Sequence, residues 1–175
     1  MKKLNLPLTS KEIKELYAGD SVLLSGVILT ARDCAHKRIM EYLSAGKELP
    51  FELKGAYIYY AGPCPAKPGY ASGSCGPTTS ARMDSFAPAL LDLGLGGMIG
   101  KGEMSAEVLE AVKRNKKIYF AAIGGAGALY AKAIKKSECI AFEDLLSEAV
   151  YRLEVEDFPA VVAFDSYGGS IYAKN

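Results

Sequence analysis

Apolar and polar positions along the chain alternate between a period near two and a period near 3.6, and the changeovers mark its elements. Thr9-Ser10-Lys11-Glu12 has the form of a capping box and predicts a short helix over 10–17, after which Gly19-Asp20 turns the chain. Residues 21–30, Ser-Val-Leu-Leu-Ser-Gly-Val-Ile-Leu-Thr, are rich in β-formers and read as a buried strand. Ala35, Ile39, Met40 and Leu43 then recur at helical spacing, with Asp33 placed to cap that helix and Gly46 to stop it. A second apolar strand covers 56–61. From 62 to 79 no hydrophobic period survives. A loop of that length inside a compact domain is usually functional or disordered, and the order predicted on both sides favours function. Met83, Phe86, Ala87, Leu90 and Leu91 predict one helix over 80–93. A short strand then runs into the Gly100-Lys101-Gly102 turn, Ser105 caps a helix over 106–114, and 117–123 forms a further strand ending at Gly124, Gly125 and Gly127. A helix over 127–134 and strands at 149–155, 160–164 and 170–172 complete the pattern.

Strands alternating with helices, with glycines just after strands, predict an α/β domain with a substantially parallel sheet, a single domain over 1–175. Sites in such sheets lie beyond the carboxyl ends of the strands. Four segments occupy that position here: 30–36, 62–79, 100–102 and 124–127. They are expected to converge.

Composition narrows the function classes. At 175 residues, 50% hydrophobic and 23% charged, the chain can bury a core without disulfides, and disorder over most of its length is excluded. Net charge is +1, from 21 Lys+Arg against 20 Asp+Glu, so nothing favours nucleic acid. The basic start Met1-Lys2-Lys3 is followed by no long apolar run, and no charge-free stretch is long enough to cross a membrane, so a cytoplasmic protein is expected. Cys34, Cys64, Cys75 and Cys139 form no C-x-x-C pair and read as free thiols, with Cys64 and Cys75 kept as an alternative metal pair because they flank the long loop.

Candidate chemistry sits at the ends of the strands. Thr30-Ala31-Arg32-Asp33-Cys34-Ala35-His36 crowds polar and ionisable groups at a helix start, where the Arg32 fork suits a carboxylate and the amides favour negative charge. The plainer alternative makes Asp33 an N-cap, Arg32 half of a structural ion pair and His36 a bonded helix residue. Gly76-Pro77-Thr78-Thr79-Ser80-Ala81-Arg82 can cradle an anion, or can be an over-supplied N-cap. Lys101, between glycines, is either a pocket charge or a solvated turn lysine. The glycines at 124–127 lack the spacing of a nucleotide-binding fingerprint. Arg32, Arg82 and Lys101 together favour a small polyanion, yet the chain offers no electrophile, which describes half of a catalytic site.

These same residues carry a family resemblance. Thr-Ala-Arg-Asp-x-Ala-His at 30–36, Tyr-Ala-Gly-Pro-Cys-Pro at 60–65, Gly-Pro-Thr-Thr-Ser-Ala-Arg-Met-Asp at 76–84, Gly-Lys-Gly at 100–102 and Glu-Val-Glu-Asp-Phe-Pro-Ala at 154–160 resemble the beta region of class I fumarate hydratases and L(+)-tartrate dehydratases, in the same order along nearly the whole chain. The resemblance implies a swivelling β/β/α domain. It implies the beta subunit of a hydro-lyase that reversibly hydrates a small dicarboxylate, fumarate or malate first and tartrate next. It further implies a [4Fe–4S] cluster held by a separate alpha subunit, with no metal ligand on this chain, and assembly into an oligomer. Since Met1 opens directly on the beta region, the alpha part is expected on another polypeptide. By the same resemblance Arg32, Arg82, Lys101 and Thr79 bind substrate, Thr78 occupies the position of the catalytic base, and Asp33 and His36 support the site. The competing expectation is a stand-alone dicarboxylate-binding or regulatory module of the same fold.

Overall fold

The computed structural model describes residues 1–123 and 126–173. Seven strands, β1 (Lys2–Asn5), β2 (Ser21–Thr30), β3 (Tyr57–Tyr59), β4 (Gly97–Gly100), β5 (Ile118–Ala121), β6 (Ile134–Ala141) and β7 (Val150–Phe164), join in one mixed sheet in the order β1-β2-β3-β4-β5-β7-β6. The β1–β2, β2–β3, β3–β4 and β4–β5 pairings are parallel, while β7 is antiparallel to β2, β5 and β6. Because β7 also pairs along the length of β2, the strands β2, β3, β4, β5 and β7 close into a ring. Among the described residues five α-helices accompany the sheet: α1 (Ser10–Lys14), α2 (Asp33–Ser44), α3 (Ala87–Asp92), α4 (Ala106–Asn115) and α5 (Gly127–Ala133).

The period of two in each strand sorts its side chains between two cores. Tyr57, Tyr59, Ile99, Ile118, Phe120, Leu153 and Phe158 belong to one, joined by Ile13 and Leu16 and by Tyr130 of α5. Ile58, Tyr60, Met98, Tyr119 and Ala163 belong to the other, covered by Ile39 of α2, Leu90 and Leu91 of α3, and Val108, Ala111 and Val112 of α4. The Thr9 cap of α1 and the Ser105 cap of α4 form as expected: each hydroxyl accepts from the amide three residues on, at 3.1 and 3.3 Å.

Several expectations are corrected. The helix foreseen over 80–93 is a 3-10 turn at Ser80–Met83 followed by α3. Pro88 has no amide and its ring would strike the carbonyl four residues back, so a helix can restart at Ala87 but cannot run through it. β1 and β6 were not legible. They are the outer strands, and β6 alternates too weakly to be read, with charged Lys135, Lys136 and Glu138 on an edge where charge discourages pairing with another chain. The strands expected at 149–155 and 160–164 are one strand, irregular where Asp157 takes φ 51° opposite the Leu24/Gly26 bulge. Residues 170–172 make only a single bridge, Ser170 to Phe164. Among the described residues no helix is long and apolar enough to cross a membrane.

Candidate active site

β2 ends at Thr30, the Ala31 amide is still held by the Tyr59 carbonyl (3.1 Å), and the chain turns into α2 through an extended Arg32. Arg32 occupies the cap position with no side-chain cap bond, so Asp33 is the first residue of the helix rather than its cap. Its carboxylate goes instead to Arg82. Oδ2 accepts a charge-assisted hydrogen bond from Arg82 Nε at 3.0 Å and makes an ion-pair contact with Nη2 at 2.8 Å. This ion pair ties the end of β2 to the turn that follows the long loop.

Arg32 runs past Gly62. A Cβ on Gly62 would lie 3.2 Å from Arg32 Cδ and 2.7 Å from the Ser147 carbonyl oxygen, so only glycine lets the loop pass between them. His36 lies one turn into α2 and is buried. Its Nδ1 lies 2.8 Å from the Arg32 carbonyl, which can only accept, so Nδ1 carries the proton. The ring packs between Tyr60 and Phe86, each centroid 5.5 Å away. Burial pushes its pKa down to about 4, which leaves it neutral at pH 7. Arg32 Nε, Asp33 Oδ1 and His36 Nε2 are enclosed with no hydrogen-bond partner among the described residues. A concentration of such atoms on one turn is a mark of function or of a missing ligand or water.

The 62–79 loop is pinned rather than loose. Cys64 N–H donates to Ser74 O (2.9 Å), Cys75 N–H to Gly127 O (3.1 Å) and Tyr59 O–H to Cys75 O (2.6 Å). At its end the Thr78 amide and hydroxyl both donate to the Tyr60 carbonyl, at 2.7 and 3.1 Å. Thr79 bridges Lys101 in parallel fashion, Ser80 N–H donates to Lys101 O (2.9 Å), and Lys101 N–H donates to Ser80 Oγ (2.8 Å). Three of the four expected segments are therefore stitched together: 30–36 to 78–82 by Asp33–Arg82, and 78–82 to 100–102 by Thr79 and Ser80. The fourth reaches them through Gly127 packed on Gly76, while Gly124 and Gly125 lie outside the described residues. Tyr60 and Tyr119, which help hold Thr78 and Lys101, are not singled out by the sequence, and Ser80, expected as part of an anion cradle, instead holds the Lys101 backbone. An aromatic in an apolar strand reads as core, and no sequence pattern reveals where its hydroxyl or carbonyl points.

The Arg82 side chain is 51% exposed. A hollow of about 380 Å³ beside the loop is lined by Pro63, Cys64, Ala71, Leu146, Ser147 and Tyr151 among others, with no charged side chain, and so is unsuited to a carboxylate. Nor do the residues present fit an iron–sulfur cluster. Among the described residues no three His, Cys, Asp or Glu side chains converge as a metal site. Cys64 is exposed but Cys75 is buried, and desolvation pushes its thiol up to about 12, far from the thiolate a metal needs.

The model of the fumarase C-terminus family matches residues 1–175. The chain belongs to the fumarase C-terminus family. Its relatives in that family come in two lengths. A Methanocaldococcus jannaschii protein with the provisional name L(+)-tartrate dehydratase subunit beta is 43% identical over 171 residues, covering 94% of this chain and 88% of the relative. Leishmania major fumarate hydratase 2 is 42% identical over 167 residues, and the anaerobic class I fumarate hydratase of Escherichia coli 40% identical over 174. The chain spans 29% and 32% of the length of these two relatives.

Proposed function

We propose that this chain, as one domain over 1–175, is the beta subunit of a cytoplasmic hydro-lyase that reversibly hydrates a small unsaturated dicarboxylate, fumarate/malate first and tartrate next. The observation that carries the reading is the stitched rim itself. Arg82 is tied to Asp33, and Lys101 to Thr79, in a member of this family. Arg32, Arg82 and Lys101 against Asp33 leave a formal surplus of two positive charges, matching a dicarboxylate dianion. Arg32 and Arg82 offer planar forks, Lys101 a point charge, and Thr79 a hydroxyl. Removing a proton beside a carboxylate spreads charge onto its oxygens, and cations fixed there in advance stabilise that charge as it develops.

Thr78 is the proposed catalytic residue. Its hydroxyl proton is spent on the Tyr60 carbonyl, a group that cannot take the proton away. The lone pairs therefore stay available to accept; to act as a base the hydroxyl must first give its own proton to water, and neighbouring cations lower the cost of the alkoxide that this leaves. Asp33 orients Arg82, and His36, neutral and buried, backs Arg32. The half-exposed Arg82 and the 43% identity to a relative whose name makes it a subunit beta support an alpha subunit that completes the site and would hold a [4Fe–4S] cluster, the source of Lewis-acid chemistry.

Mixing the chain anaerobically with an alpha-type chain, iron, sulfide and reductant should produce hydratase activity, with neither chain active alone. Turnover by this chain alone would overturn the division of labour. Calorimetry with fumarate, malate and tartrate should show negligible binding to the lone chain; tight binding would make it a self-sufficient module instead.

A further inference from the structure

We infer that Ser80 and Tyr119 are positioning residues for Lys101, holding it through a hydrogen-bond circuit buried beneath the rim. The inference rests on the reading of Lys101 as a carboxylate-binding cation. Three contacts define the circuit: Lys101 N to Ser80 Oγ (2.8 Å), Ser80 Oγ to Tyr119 Oη (2.7 Å) and Tyr119 Oη to Gly102 O (2.7 Å). Each hydroxyl has one proton to give, and the Gly102 carbonyl can only accept. The Tyr119 proton therefore goes to Gly102, the Ser80 proton goes to Tyr119, and Ser80 Oγ accepts from Lys101. One assignment satisfies every group. The chain of bonds leaves the backbone at Lys101 and returns to it one residue later, while Ser80 N–H separately holds the Lys101 carbonyl at 2.9 Å.

The surroundings show why the circuit is there. Lys101 lies between two glycines, and Gly102 takes φ 86°, so the turn has little stiffness of its own. Both hydroxyl residues are fully buried. Burial pushes the Tyr119 hydroxyl well above the usual phenol range, which keeps it a donor. A Cβ on Gly100 would overlap Ser80 Oγ and stand 2.7 Å from Tyr60 Cδ2, so the missing side chain is the space the Ser80 hydroxyl occupies. Phe and Ala at these two positions would fill the core but strip the Lys101 amide and the Gly102 carbonyl of these partners. The two hydroxyls instead satisfy the backbone on both sides of one lysine.

The test compares Tyr119→Phe and Ser80→Ala, each alone and combined with Lys101→Met. In the reconstituted alpha–beta complex each single variant should lose about ten- to a hundred-fold in kcat/KM, the scale of a misplaced charge. Neither should cost anything further once Lys101 is Met. Losses that simply multiply with that of Lys101→Met would show a general structural role and overturn the inference. Amide hydrogen exchange on the lone chain supplies a readout that needs no activity. Exchange at the Lys101 amide should quicken in Tyr119→Phe while the Phe120 and Ile99 amides stay protected, and unchanged exchange at Lys101 would overturn the circuit whether or not the complex turns over. A wild-type complex that hydrates no dicarboxylate would count against the proposed function, and exchange would still decide the circuit.

Discussion

His36 is the only histidine in the chain, and its burial sets a measurable dependence of stability on pH. Its pKa falls from 6.5 to about 4 on folding, because desolvation in the cleft between Tyr60 and Phe86 outweighs the bond to the Arg32 carbonyl and the nearby Asp33 charge. Unfolded chains take up a proton near pH 6.5; the native chain takes it up only near pH 4. Between those values unfolding binds one proton, so stability falls as pH falls, by about 1.4 kcal/mol per unit. The contribution is whole above pH 6.5, and about 3 kcal/mol of it is gone by pH 4, on the scale of 1.4 kcal/mol per unit. His36 is one contributor to the pH dependence of stability, so the quantity to measure is a difference. Urea unfolding of wild type and His36→Phe at pH 7, 6 and 5, followed by circular dichroism, should give curves that diverge with that slope. Phe keeps the aromatic packing and carries no proton, so its loss of the Arg32 bond shifts the whole curve without tilting it. NMR of the single imidazole provides the direct reading. A ring that titrates near 6.5 in the native protein, or parallel stability curves, would refute the burial argument.

Asp33→Asn should change stability by less than about 1 kcal/mol, because the pair with Arg82 is half in solvent; it should nevertheless lower kcat/KM of the reconstituted complex, since Arg82 loses the charge that aims it. Gly100→Ala should cost about 1–3 kcal/mol in urea unfolding, the range for forcing a methyl group into a filled core. In thiol labelling of the native chain, Cys64 should react first and Cys34 more slowly, because the Glu148 carboxylate holds the Cys34 proton, while Cys75 should stay silent until the protein unfolds.

The legible parts of this fold are those where a local pattern and the tertiary outcome agree. β2 and α2 are legible by period, α4 by its period and its Ser105 cap, and the site segments by their place after strands. β6 is not, because an outer strand needs only a few inward residues and carries lysines on the rest. The break at Pro88 was legible in principle, since proline inside a helical pattern forces a restart. Arg32, Arg82 and Lys101 stood out as charge, but their tether to one rim depends on Asp33 and Ser80 meeting residues distant in sequence. Tyr119 was invisible for a different reason. Its ring obeys the strand pattern and gives no sign that its hydroxyl holds a lysine turn in place.

The ring of strands also governs the order in which the molecule can be made. β2 is synthesised long before β7, yet one whole edge of it stays unpaired until β7 follows. Contacts that distant slow folding, and an unpaired edge held open meanwhile invites other chains. A ribosome still translating the middle of this protein therefore carries a half-built cylinder with its seam exposed. Slowing translation should not help it fold, whereas a chaperone that shields the seam until β7 has emerged should.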